Sequence, residues 1–161
     1  MATKTYIGID VGARGFIAVM RGGEFDFVPL VDSNDATLAG FFASLQREDC
    51  VVVMEEVHAI FGASAKSTFN FGAISGFLRG LLVANNIPYH LVPPKTWQKE
   101  IWGNTDKVKK GKRVDTKATS LNAAVRLFPK VDFRRTPACK KPDDNKVDAL
   151  LICEYGRRKN L

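Results

Sequence analysis

The sequence predicts an α/β protein built on a five-stranded mixed sheet flanked by helices. Three observations carry this. The first thirty residues hold three short apolar runs separated by glycine-rich turns, the pattern of an antiparallel meander. Two further apolar runs, at 50–54 and 87–92, each follow a segment of helical period, which makes them crossover additions to the same sheet. The chain from 116 onward then reads as two helices with an irregular stretch between them. The 161 residues suit a single domain, 1–161, able to bury its core without disulfides.

Each element has its own local signal. Residues 5–11 and 16–21 are apolar runs joined by Gly12-Ala13-Arg14-Gly15, a hairpin turn, and Arg21-Gly22-Gly23-Glu24 turns the chain into a third strand at 25–30. Leu38, Phe41, Phe42 and Leu45 recur at helical spacing across 35–47. Val51-Val52-Val53-Met54 is a run of the type buried on both faces, ending in Glu55-Glu56-Val57. Residues 65–85 repeat Phe69, Ile74, Phe77, Leu78, Leu81 and Leu82 at helical period. Gly72, Ala73, Gly76 and Gly80 lower helix propensity there, and close packing against another helix, such as that of a second copy, would explain them. Pro93-Pro94 closes the strand at 87–92. A basic stretch follows from Lys95 to Lys112, then an amphipathic helix at 116–128 with Leu121, Val125 and Phe128 on one side. A last helix opens near Asp143-Asp144 and runs through Val147, Leu150, Leu151 and Tyr155. The order, βββαβαβαα, is similar to that of the ribonuclease H-like fold.

Composition narrows the classes of function. No apolar run approaches the roughly 20 residues of a membrane span, and no basic start followed by an apolar stretch marks a signal peptide. Cys50, Cys139 and Cys153 lack metal-ligand spacing and read as reduced thiols of a cytoplasmic protein. With His58 and His90 the only histidines, a histidine-rich zinc site is not expected. The formal charge of +7 is concentrated: residues 1–94 carry a net −3, residues 95–141 a net +10, and the remainder balances. A basic segment beside a more acidic scaffold fits a polyanion-binding surface, with a solvated loop as the plain alternative.

Asp10 stands inside an apolar strand, where a charge is costly unless something compensates it. Glu55 and Glu56 end the fourth strand, and Asp148 lies near the start of the last helix. If strands one and four are neighbours, the strand carboxylates converge, and a helix across that sheet end brings the third. Strand alternation lets only one of Glu55 and Glu56 face the others. Asp144 and Asp148, four apart, share a helix face, and Asn145, three before Asp148, also reaches it. Clustered carboxylates without histidine or cysteine suit hard cations such as Mg²⁺, with Mn²⁺ as the alternative ion. Two such ions about 4 Å apart are the standard device for in-line attack on a phosphodiester. Ordinary turn and capping roles remain open for each acid taken singly.

In this setting Ile7-Gly8-Ile9-Asp10, Val53-Met54-Glu55-Glu56-Val57, Phe69-Asn70-Phe71-Gly72, Gly76-Phe77-Leu78-Arg79-Gly80, Val92-Pro93-Pro94-Lys95-Thr96-Trp97 and Asp148-Ala149-Leu150-Leu151 stand in an order that resembles the RuvC-type Holliday junction resolvases, above all their phage-encoded relatives. The resemblance spans nearly the whole chain. It implies a homodimeric, metal-dependent endonuclease of the host or cell cytoplasm that resolves four-way and related branched DNA by paired nicks, with two ions held by four acidic positions per subunit. Asp10, Glu55 and Asp148 match three of these. The fourth position falls at Asn145, with Asp144 one residue earlier as the favoured ligand. Lys117 matches the lysine that contacts the scissile strand. Lys107, Lys109, Lys110, Lys112 and Arg113 are expected to hold phosphates of the junction arms. His58 and Phe61 are the candidates for a bulky side chain near the exchange point. Phe69 and Phe71 read as core or dimer-interface residues, and Trp97 and Trp102 as packing against the sheet edge. A related nuclease acting on RNA–DNA hybrids or flaps, and a junction-binding protein without catalysis, stay open as alternatives; Asn145 is what keeps the second alive.

Overall fold

The structure, a computed structural model, describes residues 4–31, 33–56, 58 and 62–161. β1 (Thr5–Asp10), β2 (Phe16–Arg21) and β3 (Glu24–Pro29) form the antiparallel meander. α1 (Asp35–Ser44), capped by Asn34, leads through a 3₁₀ turn at Leu45–Arg47 into β4 (Cys50–Glu55). α2 (Ala65–Ala84), capped by Ser64, leads into β5 (Tyr89–Val92). β4 is parallel to both β1 and β5, giving a five-stranded mixed sheet in the order β3-β2-β1-β4-β5.

The period-2 alternation of the strands divides the core between two layers. Ile7, Ile9, Ile17, Val19, Val52 and Met54 face α1 and α2. Phe16, Ala18, Met20, Val53 and Val92 face the opposite layer, which holds α4 (Thr116–Leu127) and α5 (Asp144–Lys159). α5 is buried along most of its length, from Val147 to Gly156, and it crosses β1, β2 and β4. That crossing needs a gap in β1. A Cβ on Gly8 would lie 2.2 Å from the Ala149 carbonyl oxygen and 2.3 Å from the Cys153 nitrogen, so only glycine lets the helix backbone come this close. The Cys153 thiol completes the contact by donating to the Tyr6 carbonyl at 3.1 Å.

Two elements are absent from the order expected of the sequence. The basic stretch after β5 opens with a helix, α3 (Pro94–Ile101). Pro94 suits the first turn, where no N–H is needed, and Trp97 and Ile101, four apart, bury their side chains. The same stretch ends in a small hairpin, β6 (Lys109–Lys110) and β7 (Arg113–Val114), turned by Gly111 at φ 65°. Strand alternation is too short to see in two residues, and the lysines conceal it. Phe69 is 75% exposed, which removes it from the core. None of the described helices is long and apolar enough to cross a membrane.

Gly8→Ala is expected to cost about 3 kcal/mol or more, because all three atoms the new methyl would meet belong to backbone that cannot move aside. Gly40→Ala, on an open face of α1, is expected to gain about 0.5–1 kcal/mol instead. Thermal unfolding of the two variants, separated by roughly 10 °C, checks the pair.

Candidate metal centre

The carboxylates meet where β1 and β4 end. The register pairs Ile9 with Met54, so the next residues, Asp10 and Glu55, stand side by side on adjacent parallel strands. Both continue the alternation of Gly8 and Val53 and therefore face α5. Glu56 falls on the other side of the strand and meets His58 at 3.4 Å. The first turns of α5 lie across this end of the sheet because Ala149 and Cys153 rest on Gly8, and they bring Asp148 to the strand carboxylates.

The electrostatics record the convergence. Burial raises the Asp10 carboxyl well above its ordinary value of 3.8, and the charges of Asp148, Glu55 and Asp143 push it the same way. Burial also raises Glu55, opposed by the Trp97 indole N–H, which donates to its Oε1 at 3.0 Å. Asp148 is pushed up to about 7, again chiefly by burial; hydrogen bonding by Ser120 and the charge of Lys117 pull it down, while Glu55 and Asp144 add to the rise. Its Oδ1 is enclosed without a hydrogen-bond partner among the described residues. A buried carboxylate oxygen with no donor is expensive unless a cation takes the place of one.

The start of α5 shares out its acids. Asp143 is the cap, accepting from the backbone N–H groups of Asn145 and Lys146, and it pairs with Arg135 at 2.7 Å. Burial pushes Asp143 up, but Arg135 and the two N–H groups outweigh it and hold the carboxyl below its usual range. Arg135 in turn lies over the Phe16 ring at 4.5 Å and donates to the Arg14 carbonyl. Asn145 turns its amide to Asp143 at 3.2 Å. Asp144 projects outward to Lys117, 2.9 Å away in the first turn of α4. Asp143, Arg135 and Ser120 are thus part of the surroundings although none stood out in the sequence. Asp143 resembled a routine cap, and Arg135 lies in irregular chain with no periodicity to assign its direction.

The basic residues lie next to Lys117 in the chain. Lys109, Lys110 and Arg113 are on the β6–β7 hairpin, Lys112 is in its turn and Lys107 precedes it, all exposed. The stem is fastened to α4: the Val108 N–H donates to Thr119 Oγ1, the Val108 carbonyl accepts from Asp115, and buried Asp106 takes two hydrogen bonds from Arg126. The hairpin leads directly into the helical turn that carries Lys117. His58 is exposed beside Glu56. Phe61 lies outside the described residues. Two grooves, of about 610 and 630 Å³, open beside the C-terminal part of α5, and neither is lined by Asp10, Glu55, Asp144 or Asp148.

Among the described residues no three carboxylate, imidazole or thiol side chains stand close enough to cage an ion as they are. The donor set nevertheless fits a hard divalent cation. It is all oxygen, Glu55 raises both Asp10 and Asp148, and one buried oxygen lacks a partner among the described residues.

Comparison of the sequence with protein-family models and with curated proteins finds no match. Solved structures do match in fold. Thermus thermophilus RuvC in complex with a Holliday junction substrate is 12% identical, with a TM-score of 0.58 over 98% of this chain and 96% of that one. T. thermophilus RuvC alone gives 14%, 0.58, 97% and 96%. The yeast mitochondrial Holliday junction resolvase Ydc2 gives 15%, 0.56, 98% and 78%. The chain therefore has the fold of the RuvC-type resolvases, the ribonuclease H-like arrangement anticipated from its element order.

Asp148 sets a pH dependence whose sign is fixed. Its folded-state value of about 7 exceeds the ordinary 3.8, so its contribution to stability is complete below about pH 4 and is lost as the pH rises to about 7. Asp148→Asn is expected to flatten that loss and to be more stable than wild type at pH 8 without metal. Added Mg²⁺ should raise the wild-type unfolding midpoint at pH 8 and leave Asp148→Asn almost unmoved. Thermal scans at pH 5 and pH 8, with and without Mg²⁺, test both statements.

Proposed function

We propose that this chain is a metal-dependent, structure-selective DNA endonuclease that resolves four-way and related branched junctions by paired nicks. The observation that carries the reading is the convergence of three carboxylates, Asp10 buried and Glu55 and Asp148 half-buried, from β1, β4 and α5 on a scaffold that matches junction resolvases over nearly its whole length. Asp10, Glu55 and Asp148, with Asp144 as the fourth ligand, would hold Mg²⁺ or Mn²⁺, two ions per site. Bound there, the ions supply an activated water and neutralise charge on the leaving oxygen.

The chain's own residues do the rest. Lys117, balanced by Asp144, presents a cation at the rim of the carboxylates and would take a non-bridging oxygen of the scissile phosphate. Lys109, Lys110, Lys112 and Arg113 on the hairpin, with Lys107 just before it, are five exposed cations suited to the backbone of a junction arm. His58 and Phe61 are the candidates for contact near the exchange point.

Paired nicks need two sites, and α2 supplies a surface for a homodimer. Its exposed stripe carries Phe69, Gly72, Gly76, Gly80 and Val83, and open space surrounds each of these glycines. Such a stripe lets a second helix approach closely, with Phe69 left to bury against it. The reading places the protein in the cytoplasm, acting as one domain.

With Mg²⁺, cleavage of a labelled four-way junction is expected, and Asp10→Asn should slow it roughly a thousandfold or more. Cleavage of only an RNA–DNA hybrid or a flap would sink the resolvase reading. Equal rates for Asp10→Asn and wild type would remove the site assignment, and tight junction binding without any cleavage would make the protein a binder. Phe69→Lys should convert the dimer to a monomer by analytical ultracentrifugation and uncouple the two nicks; a wild-type monomer that nicks both strands would overturn the dimer.

A further inference from the structure

Trp97 is the largest side chain wholly enclosed by the protein. A buried indole brings about 200 Å² of apolar surface and one N–H that must find an acceptor. Nothing in an otherwise apolar environment obliges that acceptor to be a carboxylate. Yet the N–H donates to Glu55 Oε1 at 3.0 Å, across 42 residues of sequence. The route is short in space. Val92, the last residue of β5, pairs with Glu55 on β4, Pro93 stays extended, and Pro94 starts α3, so that Trp97 is returned one turn later to the strand end it has just left.

The indole is held on its other side as well. Trp102 meets it edge-on, with ring centroids 6.2 Å apart and planes at 80°, and Ile101 is buried in the same cluster. A donor fixed in this way differs from a surface lysine: it cannot swing away, and it engages one oxygen of a carboxylate that has two. Asp148 shows the contrast, since its Oδ1 has no donor among the described residues. An aliphatic side chain could fill the volume of Trp97. It could not orient Glu55.

We propose that Trp97 is a positioning residue that holds Glu55 in its ligating rotamer through this single hydrogen bond, with Trp102 as the brace. The inference rests on the reading of Glu55 as a metal ligand. Partners that hold a ligating carboxylate in place typically contribute about 10–100-fold to metal affinity. Trp97→Phe keeps the ring and removes the donor, whereas Trp102→Phe keeps the donor and trims the brace.

The test uses the full chain without DNA. Calorimetric titration with Mn²⁺ should show Trp97→Phe binding at least tenfold more weakly than wild type and Trp102→Phe within about threefold of it, both folded by circular dichroism. Because the sequence has two tryptophans, the indole region of a ¹⁵N–¹H spectrum carries two peaks. Mg²⁺ should move the Trp97 peak in wild type and leave it in place in Glu55→Gln. Wild-type Mn²⁺ affinity in Trp97→Phe, with weakened binding in Glu55→Gln, would overturn the role of Trp97 while leaving Glu55 a ligand. Wild-type affinity in Glu55→Gln would overturn both. If Trp97→Phe does not fold, the indole peak decides: movement with Mg²⁺ that depends on Glu55 supports the proposal, and an unmoved peak defeats it.

Discussion

Everything about the candidate site depends on how closely α5 lies on β1. The helix backbone at Ala149 and Cys153 fills the space that a side chain on Gly8 would occupy. That contact fixes the height and the rotation of α5 at once, and with them the position of Asp148, one residue before Ala149. Gly156 allows a second close approach farther along, of the helix backbone to a side chain, where an added Cβ would lie 2.7 Å from Val53 Cγ2. Two backbone approaches about two turns apart leave the helix little freedom to roll. The carboxylate on its first turns inherits that rigidity without belonging to the contact.

The packing that stabilises the fold also imposes its electrostatic penalty. α5 buries Leu150, Leu151 and Ile152 completely, each contributing about 1.5–3 kcal/mol, and the helix cannot keep them there without also carrying Asp148 toward Asp10 and Glu55. Burial is the main reason that all three hold their protons above the ordinary range, and the charges of neighbouring acids add to it at Asp10 and Asp148. The neighbouring acids are treated differently. Asp143 has Arg135 and two backbone N–H groups, and Asp144 has Lys117. The flanking acids thus have basic partners, which Asp144 would give up for the ion in the proposed site, and the central three have no ion-pair partner among the described residues.

Much of this was legible from the chain alone. β2 was read to the residue, and the other strands and the long helices to within a few residues, because hydrophobic period is a local signal and each run ends at a glycine, a proline or a cap. Alternation allowed only one of Glu55 and Glu56 to face the other acids, and the resemblance singled out Glu55. α3 and the β6–β7 hairpin escaped because their exposed faces are lysine-rich and their buried faces amount to Trp97 and Ile101 in one case and no buried residue in the other. Phe69 was assigned by type to a core or an interface, and its exposure excludes the first.

The sequence by itself determined the strands, most of the helices, the all-oxygen chemistry of the candidate site and the concentration of positive charge after residue 94, since each of these is written in neighbouring residues. Only the tertiary structure decided which acids are neutralised and which are left facing one another. Trp97 reaches Glu55 across 42 residues and Arg135 reaches Arg14 across 121. Contacts at such separations leave no period, spacing or composition behind in the chain.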